Sequence, residues 1–176
     1  MNNLRLRLCL VRHGETEENV ARLLQGHMPG ALTANGRQQA EELRKQLCIN
    51  DFDAIVSSDL KRVTDTVEIL LDGRTDVEWN TTPLLREIDW GSMTGMKIAD
   101  VNFKQMAGDV ETREMLYERA GRAAIWLCEN YADKKLLVVS HGLFLRSLTA
   151  QLTGVPVDKL HTIERLDNCG MRWIEV

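Results

Sequence analysis

Two short stretches share one combination of residue types. In "LRLCLVRHGETEEN" an apolar run ends in Arg12, His13 and Gly14; in "KLLVVSHGLFLR" another ends in His141 and Gly142. An imidazole at the exit of a buried strand is a nucleophile or a proton carrier whose charge state its neighbours set. The glycine beside it permits a tight turn and close backbone approach. A helix opening at that turn offers free N–H groups to an anion. Arginine adds a planar fork that suits phosphoryl oxygens better than an ammonium does. Arg12 supplies one fork directly, and Arg62, one helical turn beyond "IVSSD", supplies a second. A lone strand-end histidine is ordinarily structural, and Arg62 alone reads equally well as a solvated partner of Asp59 or Asp65. Two imidazoles in one setting with two arginines describe a pocket for a phosphoryl group.

The elements that must hold these residues are legible from periodicity. "LRLCLV", "FDAIVSS" and "KLLVVSH" predict buried strands, and "VEWNTTPLL" and "MRWIEV" predict two more. "LTANGRQQAEELRKQL" predicts a helix with Thr33 as N-cap and Gly36, Ala40, Leu43 and Leu47 on one face. "DLKRVTDTVEILL" predicts a second, capped by Ser58 and buried through Leu60, Val63, Val67 and Leu70. "VETREMLYERAGRAAIWLCEN" is a long helix, and "GLFLRSLTAQLTG" is one stopped by Gly154 and Pro156. Strands alternating with helices predict an α/β fold, a three-layer sandwich whose mostly parallel central sheet carries helices on both faces. Its crevice should lie at the carboxyl ends of the strands, where "LVRHGE", "SSDLKR" and "VVSHG" all fall. No repeat or linker interrupts the pattern, so residues 1–176 read as a single domain.

Composition narrows the function classes. A chain of 176 residues, 44% hydrophobic and 27% charged, has enough apolar surface for a full core without staples. Net charge is −4 with lysines and arginines scattered, which predicts neither a nucleic-acid partner nor an anionic membrane. There is no membrane-spanning run, and "MNNLRLRLCLV" turns charged too soon for a secretory leader. Cys9, Cys48, Cys128 and Cys169 form no CxxC pair. Three of them sit in apolar runs or helical patterns, so they read as reduced core thiols of a cytoplasmic protein. No disulfide and no zinc site is expected, and no carboxylate cluster with metal spacing lies near the histidine motifs. Neither a metal nor another cofactor is expected; the expected partner is a small phosphorylated molecule, and nothing in the composition specifies an oligomeric state.

Taken together, the motifs resemble the histidine phosphatase superfamily, typified by cofactor-dependent phosphoglycerate mutase, in its small phosphatase branch. The resemblance rests on "LVRHGETEEN", "QGHMPGALTANGRQQA", "SSDLKRVTDT", "LLREIDWGSMTG" and "VVSHGLFLR", which run almost end to end. It implies that His13 is the nucleophile that becomes phosphohistidine. Arg12, Arg62 and His141, with Gly142 at the same turn, would hold the phosphoryl oxygens, and Glu87 would be the general acid. Asn19, Thr16 and Ser58 would lie close to the pocket. The roles cohere physically: an imidazole flanked by cations stays neutral, and arginines offset the transition-state charge. Three departures fall at the rim, namely Thr94 in "WGSMTG", Leu143 and Phe144 after the second "HG", and "HMPGALT". They bear on substrate identity more than on chemistry.

The resemblance implies hydrolysis of a small phosphomonoester, without a metal. The alternatives are a phosphoglycerate mutase, an α-ribazole-type phosphatase of cobalamin synthesis, a phosphohistidine protein phosphatase, and a phosphate-binding protein that has lost the reaction. The stretch "MKIADVNFKQMAGDV" is too short for the large lid of a mutase, and the acidic motif is one that the protein-phosphatase branch typically lacks. A non-catalytic protein would be expected to lack one of His13, Arg62, Glu87 or His141. His27 reads as a substrate contact or a solvated loop residue, and His161 as surface. Trp79, Trp126 and Trp173 read as packing, Trp90 as packing beneath the acid motif or pocket wall, and Arg146 as able to point either way.

Overall fold

The computed structural model describes residues 6–176; the start of the charged run read above as no leader lies outside them. The elements in order are β1 (Arg7–Arg12), α1 (Glu17–Val20), α2 (Ala34–Gln46), β2 (Ala54–Ser57), α3 (Lys61–Leu71), β3 (Trp79–Thr81), α4 (Arg113–Asn130), β4 (Lys135–Ser140), α5 (Gly142–Thr153) and β5 (Met171–Glu175). Among the described residues the strands form one sheet in the order β3-β2-β4-β1-β5. β1, β2, β3 and β4 run parallel, and β5 pairs antiparallel with β1. This is the expected α/β sandwich.

Strand alternation divides the core in two. Leu8, Leu10, Val56, Leu136 and Val138 point to the face covered by α4 and α5, where they meet Leu116, Ala120, Leu127, Leu145 and Leu148. Cys9, Val11, Ile55, Leu137 and Val139 point to the other, against Leu43, Val63, Val67 and Leu70 of α2 and α3. Strands buried on both faces need continuous apolar runs, which is why "LCLV", "AIV" and "LLVV" carry no polar residue.

Local expectations mostly hold, with three corrections. Thr33 does cap α2, accepting from the Gly36 N–H at 2.9 Å. Ser58 does not cap α3: Leu60 is the N-cap, and the Ser58 hydroxyl turns toward the strand exits. "VEWNTTPLL" is strand only over Trp79–Thr81, because Pro83 opens a single helical turn to Leu85. Of the four free cysteines only Cys9 is buried; Cys48 and Cys128 are exposed and Cys169 is half-buried. Cys128 follows the buried Leu127 and falls on the outer side of α4. Trp173 is 47% exposed on an edge strand, although its ring stacks on Phe52.

Candidate active site

β4 lies between β1 and β2, so whatever leaves it sits between what leaves its neighbours. The register sets Arg12 beside Ser140 and Ser57 beside Val139, which brings His13, Ser58 and His141 to one rim. The rings of His13 and His141 meet edge to face, centroids 5.3 Å apart. Both are almost fully buried, at 2% and 0% exposed.

The hydrogen bonds fix the chemistry of His13. Its Nδ1 lies 2.7 Å from the Gly14 carbonyl, which can only accept, so Nδ1 carries the proton and Nε2 keeps a bare lone pair. Arg62 directs its Nε–H at that lone pair from 3.3 Å. Burial first, then the charges of Arg62 and Arg12, hold His13 well below the ordinary imidazole range. Burial, then Arg62 and His13, do the same to His141. Both rings are therefore neutral near pH 7, and His13 presents an unprotonated nitrogen to the rim.

The arginines are held without carboxylate partners. Arg62, 1% exposed, spends the two ends of its fork on the carbonyls of Met28 and Gly26. Lys61 and Arg86 occupy the partners that a solvated Arg62 would have taken, Asp65 and Asp59. So its fork grips a loop, and only the charge and Nε face His13. Burial lowers the guanidinium to about 10, which leaves it charged at neutral pH. Arg12 donates through Nη1 to the Leu166 carbonyl at 3.0 Å. Its Nε is buried with no partner, as is Nδ1 of His141. A buried donor and a buried ring nitrogen, both without partners beside an unprotonated imidazole nitrogen, describe a seat for an anion. Gly142 lies under Arg12, where a Cβ would stand 3.4 Å from Nε.

The backbone N–H groups are used differently from the sequence expectation. Gly14 N–H donates to the Thr66 hydroxyl at 3.1 Å rather than remaining free for an anion. A Cβ on Gly14 would stand 2.5 Å from the Gly36 carbonyl, and one on Gly36 would stand 2.0 Å from that of Glu15. These glycines let the loop after β1 lie on the first turn of α2. At the start of α5 the N–H groups of Leu143 and Phe144 donate to Glu87, at 3.1 Å to Oε2 and 3.0 Å to Oε1. Oε1 also accepts from Ile88 N–H at 3.0 Å. The N–H groups at this helix N-terminus are thus spent on the Glu87 carboxyl, held beside the second histidine.

The remaining expected residues support these. Ser58 Oγ sits 2.9 Å from His141 Nε2, so it orients that ring and leaves Nδ1 toward the rim. Thr16 and Asn19 form a capping box at the start of α1, and the Thr16 hydroxyl also donates to Gln25. Thr16 is fully buried and positions Asn19 instead of offering its own hydroxyl. Asn19 accepts from Asn168 and lines a cleft with Arg12 and Arg22. His27 contacts the acid loop, 2.9 Å from the Glu87 carbonyl and 3.6 Å from the Asp89 carboxylate.

Three supports have no signature in the sequence. Arg119 of α4 donates to the carbonyls of Leu84, Arg86 and Glu87 and pairs two-pronged with Glu111. It clamps the loop that carries the acid. Asn168 donates to the His13 carbonyl at 3.0 Å, and Thr66 ties Gly14 to the Arg62 carbonyl. Among the described residues no three His, Cys, Asp or Glu side chains are grouped to hold a metal ion, and no helix is long and apolar enough to cross a membrane.

Comparison with known proteins agrees with this geometry. The family profile described as histidine phosphatase superfamily, branch 1, matches residues 8–176. A curated relative from Proteus mirabilis, named probable phosphoglycerate mutase GpmB, is 35% identical over 185 residues, covering 97% of this chain and 85% of its own. The structure of Bacillus stearothermophilus YhfR superposes with a TM-score of 0.88 at 29% identity, covering 97% of this chain and 91% of that one. A mycobacterial glucosyl-3-phosphoglycerate phosphatase solved with VO3 gives 0.83 at 26% identity, covering 97% and 96%.

Proposed function

The chain belongs to the histidine phosphatase superfamily, and within it we propose a phosphatase that hydrolyses small phosphomonoesters through phosphohistidine at His13. The observation that carries this reading is the bare His13 Nε2, kept neutral by burial and two arginines in a pocket with unpartnered donors. Nε2 attacks phosphorus as the P–O bond to the alcohol breaks. Glu87 gives its proton to the leaving oxygen; Oε2, with a single N–H partner, is the oxygen that carries it. Water then attacks the phosphorus, forming the new O–P bond as the N–P bond breaks; Glu87 takes a proton from that water, and inorganic phosphate leaves neutral His13 behind. Arg12, Arg62 and the Nδ1–H of His141 stabilise the equatorial oxygens throughout. Ser58 orients His141, and Asn19 and Gly142 line the approach. No step calls for a metal. The free cysteines suit a reducing compartment, the cytoplasm.

A mutase is the second reading, favoured by the name of the Proteus mirabilis relative. Against it stands the short rim segment after the acid motif, whose Phe103 is 52% exposed and leaves a route for water. Incubation with a phosphorylated hydroxy acid in oxygen-18 water separates the two. Inorganic phosphate carrying one heavy oxygen supports hydrolysis, whereas an isomerised ester with no label in phosphate overturns it in favour of transfer.

A further inference from the structure

A cavity of about 640 Å³ opens beside Glu87, within the range of ligand pockets. Ile88 and Leu143 line its near edge, and the N–H groups of these residues hold the Glu87 carboxylate. The cavity thus adjoins the loop and the helix start that hold Glu87. Next come Trp90 and Phe103, in edge-to-face contact with ring centroids 6.2 Å apart, which give the cavity an apolar aromatic corner.

The far wall is cationic. Arg113, Arg146 and Arg165 all line it. Arg146 gives Nη2 to the His161 carbonyl at 2.8 Å, while its Nε is buried with no partner. Glu111 on the same wall is taken up by Arg119, and no ion pair among the described residues joins Glu114 to these arginines. Arg146 is held below the ordinary guanidinium value by burial, then by repulsion from Arg165, Arg113 and Arg172. Arg165 also acts electrostatically on Arg12, after the larger effects of Glu87 and Asp167, so this end of the cavity lies within electrostatic reach of the phosphoryl seat. Like charges left close together, one with an orphaned donor, are stabilised by an oxyanion between them.

We infer that this cavity receives an alcohol with an apolar body and a second oxyanion, the body against Trp90 and Phe103 and the oxyanion on Arg146 with Arg113 and Arg165. The substrate class is then a phosphomonoester of an apolar, anionic alcohol. This rests on the phosphatase reading and narrows it.

The test uses two synthetic esters, para-carboxyphenyl-propyl phosphate and its carboxamide, with p-nitrophenyl phosphate as a general reporter. The corresponding phosphate-free alcohols are titrated by calorimetry. The acid ester is expected to exceed the amide in kcat/KM by about tenfold, chiefly through KM, the size of one charge-assisted hydrogen bond. The acid alcohol is expected to bind more tightly than the amide. Arg146→Gln should bring both ratios close to one, and Arg165→Gln, at an exposed position that does not endanger folding, should lower them in part. Raised salt should shrink them too. Equal rates and equal binding for acid and amide, with p-nitrophenyl phosphate still hydrolysed, overturn the inference and leave the phosphatase reading intact. Tighter binding of the acid with no phosphate released from any ester keeps the anion-selective cavity and overturns the phosphatase reading. A preference that persists in both variants refutes the assignment to these arginines.

Discussion

Two histidines kept neutral inside the protein make stability depend on pH in a calculable way. In the unfolded chain each titrates near ~6.5. In the folded protein both lie well below that, through burial and the nearby charges of Arg62 and, for His13, Arg12. As pH falls through 6.5 the unfolded chain takes up protons that the folded one refuses, so the stability present above 6.5 is lost below it. Between pH 7.5 and 5.5 the loss is on the order of 1 kcal/mol per histidine, roughly 2–3 kcal/mol for the pair. Carboxylates also titrate over this range, so the quantity to measure is a difference. Urea unfolding of the wild type and of the His13→Gln/His141→Gln double variant at the two pH values cancels the groups they share. The wild type should lose roughly 2–3 kcal/mol more than the variant. Losses equal to within ~0.5 kcal/mol would mean that these rings are solvated or already charged when folded, and the neutral-nucleophile argument would fail with them.

Other outcomes follow from single contacts. Glu87→Gln keeps size and hydrogen bonding but has no proton to give; an alkyl phosphate, with its basic leaving group, should slow at least about a hundredfold, and p-nitrophenyl phosphate far less. Equal slowing on both would make Glu87 structural. Gly36→Ala puts a Cβ 2.0 Å from the Glu15 carbonyl, an overpacking of ~2 kcal/mol that should lower Tm by about 4–8 °C in a thermal melt; an unchanged Tm would show that the loop yields freely. Arg119→Met removes the donors to Leu84, Arg86 and Glu87 and should reduce turnover of alkyl phosphates more than of p-nitrophenyl phosphate, the same signature as loss of the acid. A uniform loss would place the effect in folding, not in the position of Glu87.

The sheet and the two histidine turns were legible because burial on both faces demands unbroken apolar runs, and the change to polar residues marks where those runs reach the rim. Arg12, His13, Arg62 and His141 converge because β1, β2 and β4 are adjacent, which strand order decides and helix–strand alternation suggests. What escaped were the long-range contacts that the site arginines make to main chain. Arg119 reaches carbonyls 32 to 35 residues away, and a carbonyl has no residue type to read. Arg62 was expected to turn its fork to phosphate, yet loop carbonyls at Gly26 and Met28 take it. Ser58 has the composition of a cap, but β4 beside it delivers His141 as the stronger partner. The N–H groups at the helix start after His141 were read as a seat for an anion; that they hold the Glu87 carboxyl required the fold.

The central claim is that His13 Nε2 becomes covalently phosphorylated, and trapping that species tests it most directly. The enzyme is mixed with p-nitrophenyl phosphate, quenched within milliseconds in alkaline denaturant, where phosphohistidine survives, and digested for mass spectrometry. The account predicts one phosphate on the peptide that contains His13, none on that containing His141, and no label in His13→Gln. A phosphate on His141, or steady turnover with no covalent phosphate on either ring, would contradict it.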